Sequence, residues 1–579
     1  MRLGLWPTPC TLGHARGRPT RGGPHQHRPP TNLMANHRID TRPPRSAEAS
    51  PPPRLATDQM AAYLEDAAHF AGGHARAVVV PRTEAQLAAV LRDSDTVLPV
   101  GAQSSLTGGA TPMGEVVVSL AGLTAIDDYL PGAASITAQP GVTLTQLREQ
   151  LSRYDCVYPP VPTFEGATVG GVVSTNAAGA ATFKYGTTRN WVRRLSVMLA
   201  CGELLDLERG QVRASGGRFE IATATGVVTV PVPTYRMPDV PKHSAGYHAD
   251  DNLDLIDLFI GSEGTLGIVT SVTFDILQNQ PDVALVLIFL DSEQQAISVT
   301  SALRDASLRT RNADDPRGID VAAIEHLDRR CLELLREDGA DRRVAVTLPD
   351  ETRVVLLAQL ELPRGTTATE LHTQVGLAGS AGAPDTPVVR LCQLLASEGL
   401  LDTTELVSPD DRTRAGKLFA LREAVPDAVN RRVGIAKRAV SDTIEKTSAD
   451  MIVPFSCLTE SLTVFRDAFE SRGLDYAIWG HISDANLHPN VIPRSVEDVQ
   501  RGREAILACG QEIIQLGGSP LAEHGVGRSP VKQALLRQLH GDSGITEMRA
   551  VKRALDPSDT LAPGVLFPVD PRSTSGDSS

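Results

Sequence analysis

Three stretches of glycine and other small residues constrain the fold of this chain most. They run over 99–109, 167–189 and 257–268; the first follows a predicted strand, and the third has strand-forming residues on both sides. Small residues let backbone N–H groups converge on an anion, so such stretches can form a nest for phosphate oxygens. None of the three contains G-x-G-x-x-G or G-x-x-x-x-G-K-[ST], which argues against a Rossmann helix or a P-loop as the phosphate site.

The composition is typical of a soluble globular protein, and the length of the chain suggests two or three packed units. The chain has 579 residues, of which 22% are charged, and a formal net charge of −13. A negative balance argues against a nucleic-acid partner, because phosphate neutralisation needs clustered Lys and Arg.

The apolar run at 283–290 is far shorter than the roughly 20 residues of a membrane helix, so we predict no membrane span. Seven cysteines, no two at C-x-x-C spacing, argue against a disulfide framework and fit a reducing, cytoplasmic compartment.

The two ends of the chain are expected to lie outside the globular part. Residues 1–55 are rich in Arg, Pro, Gly and His, which cannot build a core, so we expect a disordered N-terminal tail. A targeting segment, or a true start at Met34, is the alternative for this region. Residues 569–579 are expected to form a second disordered tail.

Hydrophobic periodicity and capping signals predict the main elements. The predicted strands are 77–80, 97–100, 283–290 and 353–360, and the predicted helices are 57–70, 83–91, 292–305, 320–337, 498–516 and 529–554. Thr83 is the expected N-cap of the second helix. The alternation of strands and helices beyond residue 280 suggests an α+β sheet with helices on one face.

Two histidines flank a turn-forming Ser-Asp-Ala-Asn segment at 483–486. Residues 476–482 and 487–492 are predicted strands, so a four-residue hairpin loop would place His481 opposite His488. Cross-strand partners point to the same side of a sheet, and two imidazoles so placed can bind one metal ion. A purely structural role is the alternative for such a pair.

A carboxylate supports the metal interpretation. Glu523 follows a predicted helix and a Gly-Gly turn, and it is followed directly by His524 and Gly525. A set of two imidazoles and one carboxylate with open positions suits zinc or manganese, and the sequence does not choose between these metals. We therefore predict a divalent metal site formed by His481, His488 and Glu523.

In their order and spacing, the glycine-rich stretches resemble the FAD-binding domain of the vanillyl-alcohol oxidase superfamily. They are similar in particular to the flavoprotein family of D-lactate dehydrogenases and glycolate oxidases, which includes D-2-hydroxyglutarate dehydrogenases, over about 77–567. The first stretch matches the family's P-R-G-x-G-T-x-x-x-G-G, with Val100 in place of the Arg and Gln103 in place of a Gly. The family's G-S-E-G-T-L-G-I is intact at 261–268, and Lys242 begins a segment similar to its K-N-x-x-G-Y.

The resemblance implies an α+β protein with two main domains. A vanillyl-alcohol-oxidase-type FAD-binding domain would span 56–279, and a ferredoxin-like α+β substrate or cap domain, which carries the metal site, would span 280–524. Residues 525–568 would form a C-terminal helical segment that packs back on the FAD-binding domain.

The resemblance also implies FAD contacts from all three stretches. The expected cofactor-binding residues are Pro99, Gly101, Ala102, Gln103, Ser104, Ser105, Gly108, Gly109, Pro162, Thr163, Thr168, Gly170, Gly171, Thr175, Asn176, Gly179, Tyr185, Gly186, Glu263, Gly264, Gly267 and Ile268. Lys184 and Arg189 are cations that could meet phosphate or flavin carbonyls. Some relatives attach FAD to a His in the first stretch, but no His lies between 98 and 112, so we expect non-covalent FAD.

The family's catalytic motifs imply roles for further residues. Its G-H-x-G-D-G-N-L-H and E-H-G motifs hold the metal ligands, and they imply that His524 is the base or a substrate contact; Ser483 and Ala485 stand where the family has glycines. Arg422 matches the Arg of the family's R-E/K-A helix, which clamps the substrate carboxylate. Lys446 begins a match to K-x-x-x-D-x-x-V-P and is a second candidate cation. Without the resemblance, a solvated helix Arg and a surface Lys would be the simpler interpretation.

The implied activity is metal-assisted oxidation of a small D-2-hydroxy acid (D-lactate, glycolate or D-2-hydroxyglutarate) to the 2-keto acid, with hydride transfer to FAD. Electrons would then leave to a partner protein, a quinone or oxygen, because no iron–sulfur segment is present. One alternative is a non-redox enzyme similar to alkyl-dihydroxyacetone-phosphate synthases, whose run of histidines is absent here; another is a non-catalytic flavin electron-transfer subunit. We expect a cytoplasmic protein, with peripheral membrane attachment and a homodimer left open.

Overall fold

The computed structural model describes residues 36–45 and 51–569. Its strands are β1 (Arg38–Asp40), β2 (Ala77–Val79), β3 (Val97–Val100), β4 (Val116–Ser119), β5 (Ser135–Ala138), β6 (Cys156–Val157), β7 (Val192–Met198), β8 (Leu204–Glu208), β9 (Arg218–Thr223), β10 (Gly226–Pro231), β11 (Ile268–Asp275), β12 (Leu277–Gln278), β13 (Asp282–Leu290), β14 (Val321–Leu327), β15 (Val354–Leu362), β16 (Thr404–Val407), β17 (Thr447–Ser448), β18 (Met451–Ile452), β19 (Tyr476–His481) and β20 (Asn486–Val491). Its helices are α1 (Thr57–Met60), α2 (Glu84–Asp93), α3 (Leu144–Ser152), α4 (Val169–Ser174), α5 (Thr182–Tyr185), α6 (Leu255–Phe259), α7 (Glu293–Ala313), α8 (Arg329–Glu337), α9 (Ala340–Arg343), α10 (Ala368–Leu377), α11 (Pro387–Ser397), α12 (Arg412–Ala439), α13 (Leu458–Glu470), α14 (Val496–Gln515) and α15 (Pro530–Leu555).

Two sheets frame the glycine-rich stretches in the N-terminal half. One is parallel with strand order β2-β4-β3, and the other is antiparallel with order β5-β11-β7-β8. The first stretch leaves the end of β3, the second contains α4, and the third leads into β11. Thr83 caps α2 as predicted, because its hydroxyl accepts a hydrogen bond from the backbone N–H of Gln86.

The second half is built on one large antiparallel sheet with strand order β16-β13-β15-β14-β19-β20-β17, and β18 pairs with β20. The predicted α+β class is confirmed, but the expectation of helices on one face was wrong. Alternate residues of β13 contribute to two different core clusters: one contains α7, α11 and α13 together with much of the N-terminal half, and the other contains α8 and α12. Since helices cover both faces, β13 is an uninterrupted apolar run.

The C-terminal helix α15 contacts the N-terminal half. Nε2 of His540 lies 3.0 Å from the carbonyl oxygen of Ala245, and the side chain of Lys552 donates to the carbonyl of Thr265. After the helix, the backbone N–H of Ala562 donates to the carbonyl of Val97 over 2.8 Å, at the start of β3.

The N-terminal region contains order that the sequence did not predict. Within the expected tail of 1–55, β1 pairs in parallel with β9, and Arg42 donates hydrogen bonds to Glu84 and Asp206. Residues 1–35, which include Met34, and residues 46–50 and 570–579 lie outside the described residues.

The predicted helix over 57–70 was wrong beyond its first turns. It ends after α1 and a 3-10 turn at Ala61–Tyr63. The following residues instead contact the first glycine-rich stretch: Ala67 N–H donates to the carbonyl of Gln103, and Asp66 N–H donates to the hydroxyl of Thr111. These tertiary hydrogen bonds outweigh the local helix propensity of a segment that contains several Ala together with a Leu and a Glu, because propensity alone is a weak determinant of structure.

The predicted helix over 320–337 is a strand followed by a helix. Every residue of β14 is buried, so its sequence lacks the alternation that marks a half-exposed strand. Asp328 ends the strand and caps α8, its carboxylate accepting from the backbone N–H of Cys331 over 2.8 Å. That Asp is the helix-start signal that the sequence interpretation missed.

Candidate active site

The three glycine-rich stretches surround one cavity. Of the residues predicted to contact FAD, those that line it are Pro99, Gly101, Ala102, Gln103, Ser104, Ser105, Gly109, Pro162, Thr163, Thr168, Gly170, Gly171, Thr175, Glu263, Gly264, Gly267 and Ile268. Glu523 and His524, from the second half of the chain, line the same cavity. The candidate cofactor and metal sites therefore share a wall.

Close packing explains the glycines of this wall. A Cβ added at Gly264, where φ is +75°, would lie 2.8 Å from the ring of Pro99, and one added at Gly101 would lie 2.2 Å from the hydroxyl of Thr168. The three stretches can therefore meet only because glycine leaves room for a neighbouring side chain.

Gln103 has a structural role in addition to lining the cavity. It replaces a glycine of the family motif and adopts φ 52°, in the left-handed region. Its side-chain amide donates to the carbonyls of Tyr63 and Ala110 over 3.1 and 3.3 Å. These hydrogen bonds help to hold a non-glycine residue in a conformation that costs energy.

Some predicted cofactor residues do not line the cavity. Those that do not line it are Gly108, Asn176, Gly179, Tyr185 and Gly186. Tyr185 and Lys184 instead bind Glu361 of β15, and Lys184 also pairs with Asp320. Arg189 is paired with Asp257 at 3.0 Å. The two cations expected to meet phosphate or flavin thus neutralise buried or partly buried carboxylates, and Lys184 ties the second stretch to the large sheet.

The three predicted metal ligands lie together at the end of the β19–β20 hairpin. One ligand atom each from His481, His488 and Glu523 lies within 4.8 Å of the others. Nε2 of His481 is 3.4 Å from Oε1 of Glu523, and Nε2 of His488 is 3.8 Å from Oε2 of the same carboxylate. Two imidazole nitrogens and a carboxylate are a donor set that a divalent transition metal accepts.

The predicted hairpin register was wrong. His481 pairs with Asn486, and His488 pairs with Trp479, so the loop begins one residue earlier than predicted. The pairing shifts by two residues, which leaves both imidazoles on the same face because side chains alternate with a period of two. Ala485, at a family glycine position, takes φ 60° in this turn.

Lys242 lies fully buried beneath the carboxylate of Glu523. Its Nζ forms ion pairs with Glu523 and, at 3.0 Å, with Oδ2 of Asp484. Burial alone would lower the pKa of Lys242, but these two carboxylates raise it to about 12. The sequence placed Lys242 in a family motif without a role, and the structure shows it as the counter-charge of this site.

Asp450 is a second buried carboxylate that contacts the site. Its Oδ2 accepts from the backbone N–H groups of Glu523 and His524 over 2.7 and 3.0 Å, and its Oδ1 accepts from the side chain of Asn486 over 2.9 Å. Burial opposes ionisation, yet the imidazoles of His524 and His488 hold the pKa of Asp450 well below its ordinary value. Asp450 was part of the motif quoted for Lys446, but no role had been predicted for it.

Glu325 of β14 links the hairpin to helix α12. Its Oε1 lies 2.9 Å from Nδ1 of His481, and its Oε2 accepts from Nε of Arg422 over 3.2 Å. Burial raises the pKa of Glu325, but the charges of Arg422 and His481 outweigh burial and hold it at about 2. Glu325 was missed because its segment had been predicted as helix.

Lys446, the second predicted cation, has no carboxylate partner among the described residues. Its Nζ lies 6.0 Å from the centre of the Trp479 ring, on the face of β19 that carries His481. Burial lowers the pKa of Lys446 to about 8. A partly buried ammonium without a counter-charge is available to an anionic ligand.

The loop that carries Glu523 and His524 is fastened to the third glycine-rich stretch. The carboxylate of Glu263 accepts from the backbone N–H groups of Val526 and Gly527 over 2.7 and 2.9 Å.

His524 lies in this loop. Burial lowers the pKa of His524 to about 4, although the negative charge of Asp450 acts to raise it, so the ring is neutral at neutral pH. A neutral imidazole in the cavity wall can accept a proton.

Comparison with known families defines the class of protein. Residues 75–208 match the model described as "FAD binding domain", and residues 280–566 match that described as "FAD linked oxidases, C-terminal domain". Fold and cavity together therefore define a flavoprotein oxidoreductase that binds FAD. The chain belongs to the FAD-linked oxidases, and the resemblance inferred from its sequence is confirmed.

Several curated proteins are similar over most of their length. A D-2-hydroxyglutarate dehydrogenase of Xanthomonas citri pv. viticola is 29% identical over 504 residues, which cover 85% of this chain and 89% of that protein. Glycolate oxidase subunit GlcD of Bacillus subtilis is 26% identical, with 86% and 90% covered. A D-lactate dehydrogenase of Anaerostipes hadrus is also 26% identical, with 81% and 84% covered.

Solved structures share the fold. Substrate-bound p-cresol methylhydroxylase superposes with a TM-score of 0.60 at 15% identity, covering 89% of this chain and 94% of that one. An alkyldihydroxyacetonephosphate synthase superposes with a TM-score of 0.53 at 13% identity, with 91% and 89% covered. At these identities the similarity shows the vanillyl-alcohol-oxidase-type fold alone.

Among the described residues, no helix combines the length and apolar character needed to span a bilayer.

Proposed function

We propose that this chain oxidises a small D-2-hydroxy acid to the 2-keto acid, with non-covalently bound FAD and with a divalent metal, zinc or manganese, held by His481, His488 and Glu523. The observation that carries the proposal is the shared wall described above. Glu523 belongs to the ligand set and also lines the cavity of the glycine-rich stretches, next to His524. A substrate bound between the metal and the flavin would therefore meet both.

The donor set fits a metal, and the cavity fits a flavin nucleotide. When bound, a divalent cation would lower the pKa of the substrate hydroxyl, and FAD would accept the hydride from C2. The pKa of His481 is raised to about 9, since Glu325 and Glu523 outweigh the effect of burial. A metal bound there would replace that proton, as metal binding to imidazole requires.

The protein's own groups divide the remaining work. His524 accepts the hydroxyl proton while C2 loses its hydride, so one proton and one hydride leave the substrate, and the electron pair of the O–H bond forms the C=O double bond. Arg422 and Lys446 are the cations that bind the substrate carboxylate. Nε and Nη1 of Arg422 already donate to Glu325 and Glu423, so the remaining N–H groups of its guanidinium would bind the substrate, and Lys446 lacks a counter-charge. Burial excludes water and strengthens these electrostatic contacts.

The relatives support a 2-hydroxy acid as substrate, since their names describe dehydrogenases of D-2-hydroxyglutarate and D-lactate and a subunit of glycolate oxidase.

The reduced flavin would pass its electrons to a partner protein, a quinone or oxygen. A cytoplasmic location and a homodimer remain predictions.

Anaerobic reduction of the bound flavin tests this function. FAD-loaded, metal-supplemented protein is mixed with D-lactate, glycolate or D-2-hydroxyglutarate, and with the L-enantiomers of the chiral acids as controls, while flavin absorbance is followed. We expect at least one acid of the D series, or glycolate, to bleach the flavin and to yield the matching 2-keto acid. Bleaching by none of them would refute the proposed substrate class.

A further inference from the structure

We infer that Asp450 is the positioning residue for both His488 and His524, so that one carboxylate orients a metal ligand and the base at once. The inference rests on the proposed function. It concerns how the chain holds these two imidazoles, which neither the family motifs nor the relatives assign.

The two oxygens of Asp450 face two different imidazoles. Oδ1 lies 3.3 Å from Nδ1 of His488, and Oδ2 lies 3.3 Å from Nδ1 of His524. The two rings lie side by side, with centroids 5.5 Å apart and planes inclined by only 29°. Because each ring turns its Nδ1 towards Asp450, its Nε2 points away from that carboxylate. In His488 the Nε2 atom is the one that faces Glu523.

Asp450 is itself fixed in place. It is 2% exposed, and three N–H donors from Glu523, His524 and Asn486 bind its oxygens. Two of these donors are backbone groups of the loop whose side chains supply the third ligand and the base. The same carboxylate therefore sets the position of the loop backbone and the orientation of both imidazoles.

The arrangement on the other side of the site is different. His481 has its own buried carboxylate, Glu325, which also binds Arg422. Imidazoles that bind metals in proteins generally direct their second nitrogen to a carboxylate, a backbone carbonyl or a water molecule, which fixes the ring and its tautomer. Both candidate ligand histidines have such a partner here, but only Asp450 reaches the base as well. Loss of Asp450 should therefore impair metal binding and proton transfer together.

Metal affinity provides the first test. FAD-loaded wild-type protein and Asp450→Asn are freed of metal and titrated with Mn²⁺ or Zn²⁺ alone, by calorimetry. We expect affinity to fall roughly 10- to 100-fold in the variant, the range found for carboxylates behind metal-bound histidines, with FAD content unchanged. The control is Asp328→Asn, which also removes a carboxylate bound by two backbone N–H groups, from Cys331 and Ile478, but just after the C-terminal end of β14 and not beside His488 or His524. It should leave metal affinity unchanged.

Flavin reduction at saturating metal provides the second test. If Asp450 also orients His524, restoring the metal will not restore the rate. We expect the limiting rate of flavin reduction in Asp450→Asn to stay at least about tenfold below wild type, since a positioned base contributes roughly 10²–10⁴-fold, while the half-saturating substrate concentration changes little. A merely destabilised protein would instead recover its rate once folded and loaded.

The outcomes separate the inference from the proposed function. If wild-type protein binds no divalent metal, the metal part of the function and the inference both fail. If wild type binds metal and Asp450→Asn binds it equally well and reduces flavin at the same rate, only the inference is overturned. Should Asp450→Asn not accumulate with FAD bound, Asp450→Glu, which keeps the charge but moves the carboxylate by one methylene, takes its place with the same expected results.

Discussion

Arg422 donates a hydrogen bond from Nε to Oε2 of Glu325 over 3.2 Å, from the middle of α12 to β14. The other oxygen of this carboxylate lies 2.9 Å from Nδ1 of His481. One buried carboxylate thus connects the proposed substrate-binding guanidinium with a proposed metal ligand, and both are positioned before a substrate binds. Such preorganisation lowers the entropic cost of bringing substrate, metal and flavin together.

Replacing Arg422 by alanine should weaken substrate binding. A lost hydrogen bond to a charged group costs about 1.5–3 kcal/mol, so we expect kcat/KM to fall roughly 10- to 100-fold, with a higher KM, at saturating metal. Arg414→Ala is the matched control, because Arg414 lies on the same helix but pairs with Glu405. Equal kcat/KM for Arg422→Ala and wild type would remove Arg422 from the substrate site.

The alkaline limit of activity should depend on Lys446. Burial lowers the pKa of this amine to about 8, and only its protonated form attracts a carboxylate. We therefore expect kcat/KM, which reports the free enzyme, to fall as the pH rises through about 8. Lys446→Arg keeps its charge to much higher pH and should move this fall upward. An alkaline limb that is the same in both proteins would show that another group causes it.

Gly525 should be sensitive to the smallest side chain. Its φ is +73°, and an added Cβ would lie 2.8 Å from the carboxylate of Glu263, which holds the loop just beyond His524. We expect Gly525→Ala to slow flavin reduction by substrate on the order of 100-fold, as a misplacement near 1 Å can. Gly399→Ala is the control, because Gly399 has a φ of +72° with nothing nearby, so only strain of about 1–2 kcal/mol applies. Similar rates in the two variants would argue against this packing role.

Acid or heat denaturation should release intact FAD. Among the described residues that line the cavity, the only His is His524, and no Cys or Tyr is present. That His belongs to the metal-side loop, so we assign it no covalent bond to flavin. The released chromophore should have the mass of FAD, and the precipitated polypeptide should be colourless. Flavin retained on the denatured chain would contradict the expectation.

The glycine-rich stretches and the histidine pair were predictable because local rules determine them, whereas the FAD contacts were implied by the family resemblance. Glycines such as Gly264 are required wherever a neighbouring ring, here that of Pro99, occupies the space of a Cβ, and this requirement leaves a visible spacing in the sequence. The two imidazoles were placed on one face despite a wrong register, because the error was two residues and strand side chains alternate.

The residues behind the ligands were not predictable in the same way. Lys242 and Glu523 are separated by 281 residues, and Glu325 and Arg422 by 97. No local pattern connects such pairs, since only the folded sheet and the docked loop bring them into contact. Glu325 was further hidden because β14 is buried on both faces and has no alternation.

Metal removal tests the central claim most directly. The rate of flavin reduction by a substrate acid is measured before and after treatment with a strong chelator, after readdition of Mn²⁺ or Zn²⁺, and in His488→Ala. Since the flavin contacts and the ligand set lie in different segments, we predict that chelation abolishes flavin reduction while FAD remains bound, that a divalent ion restores it, and that His488→Ala resembles the chelated protein. Full activity of chelated protein that contains no metal would contradict the account, because His524 would then have to act without a metal beside the flavin.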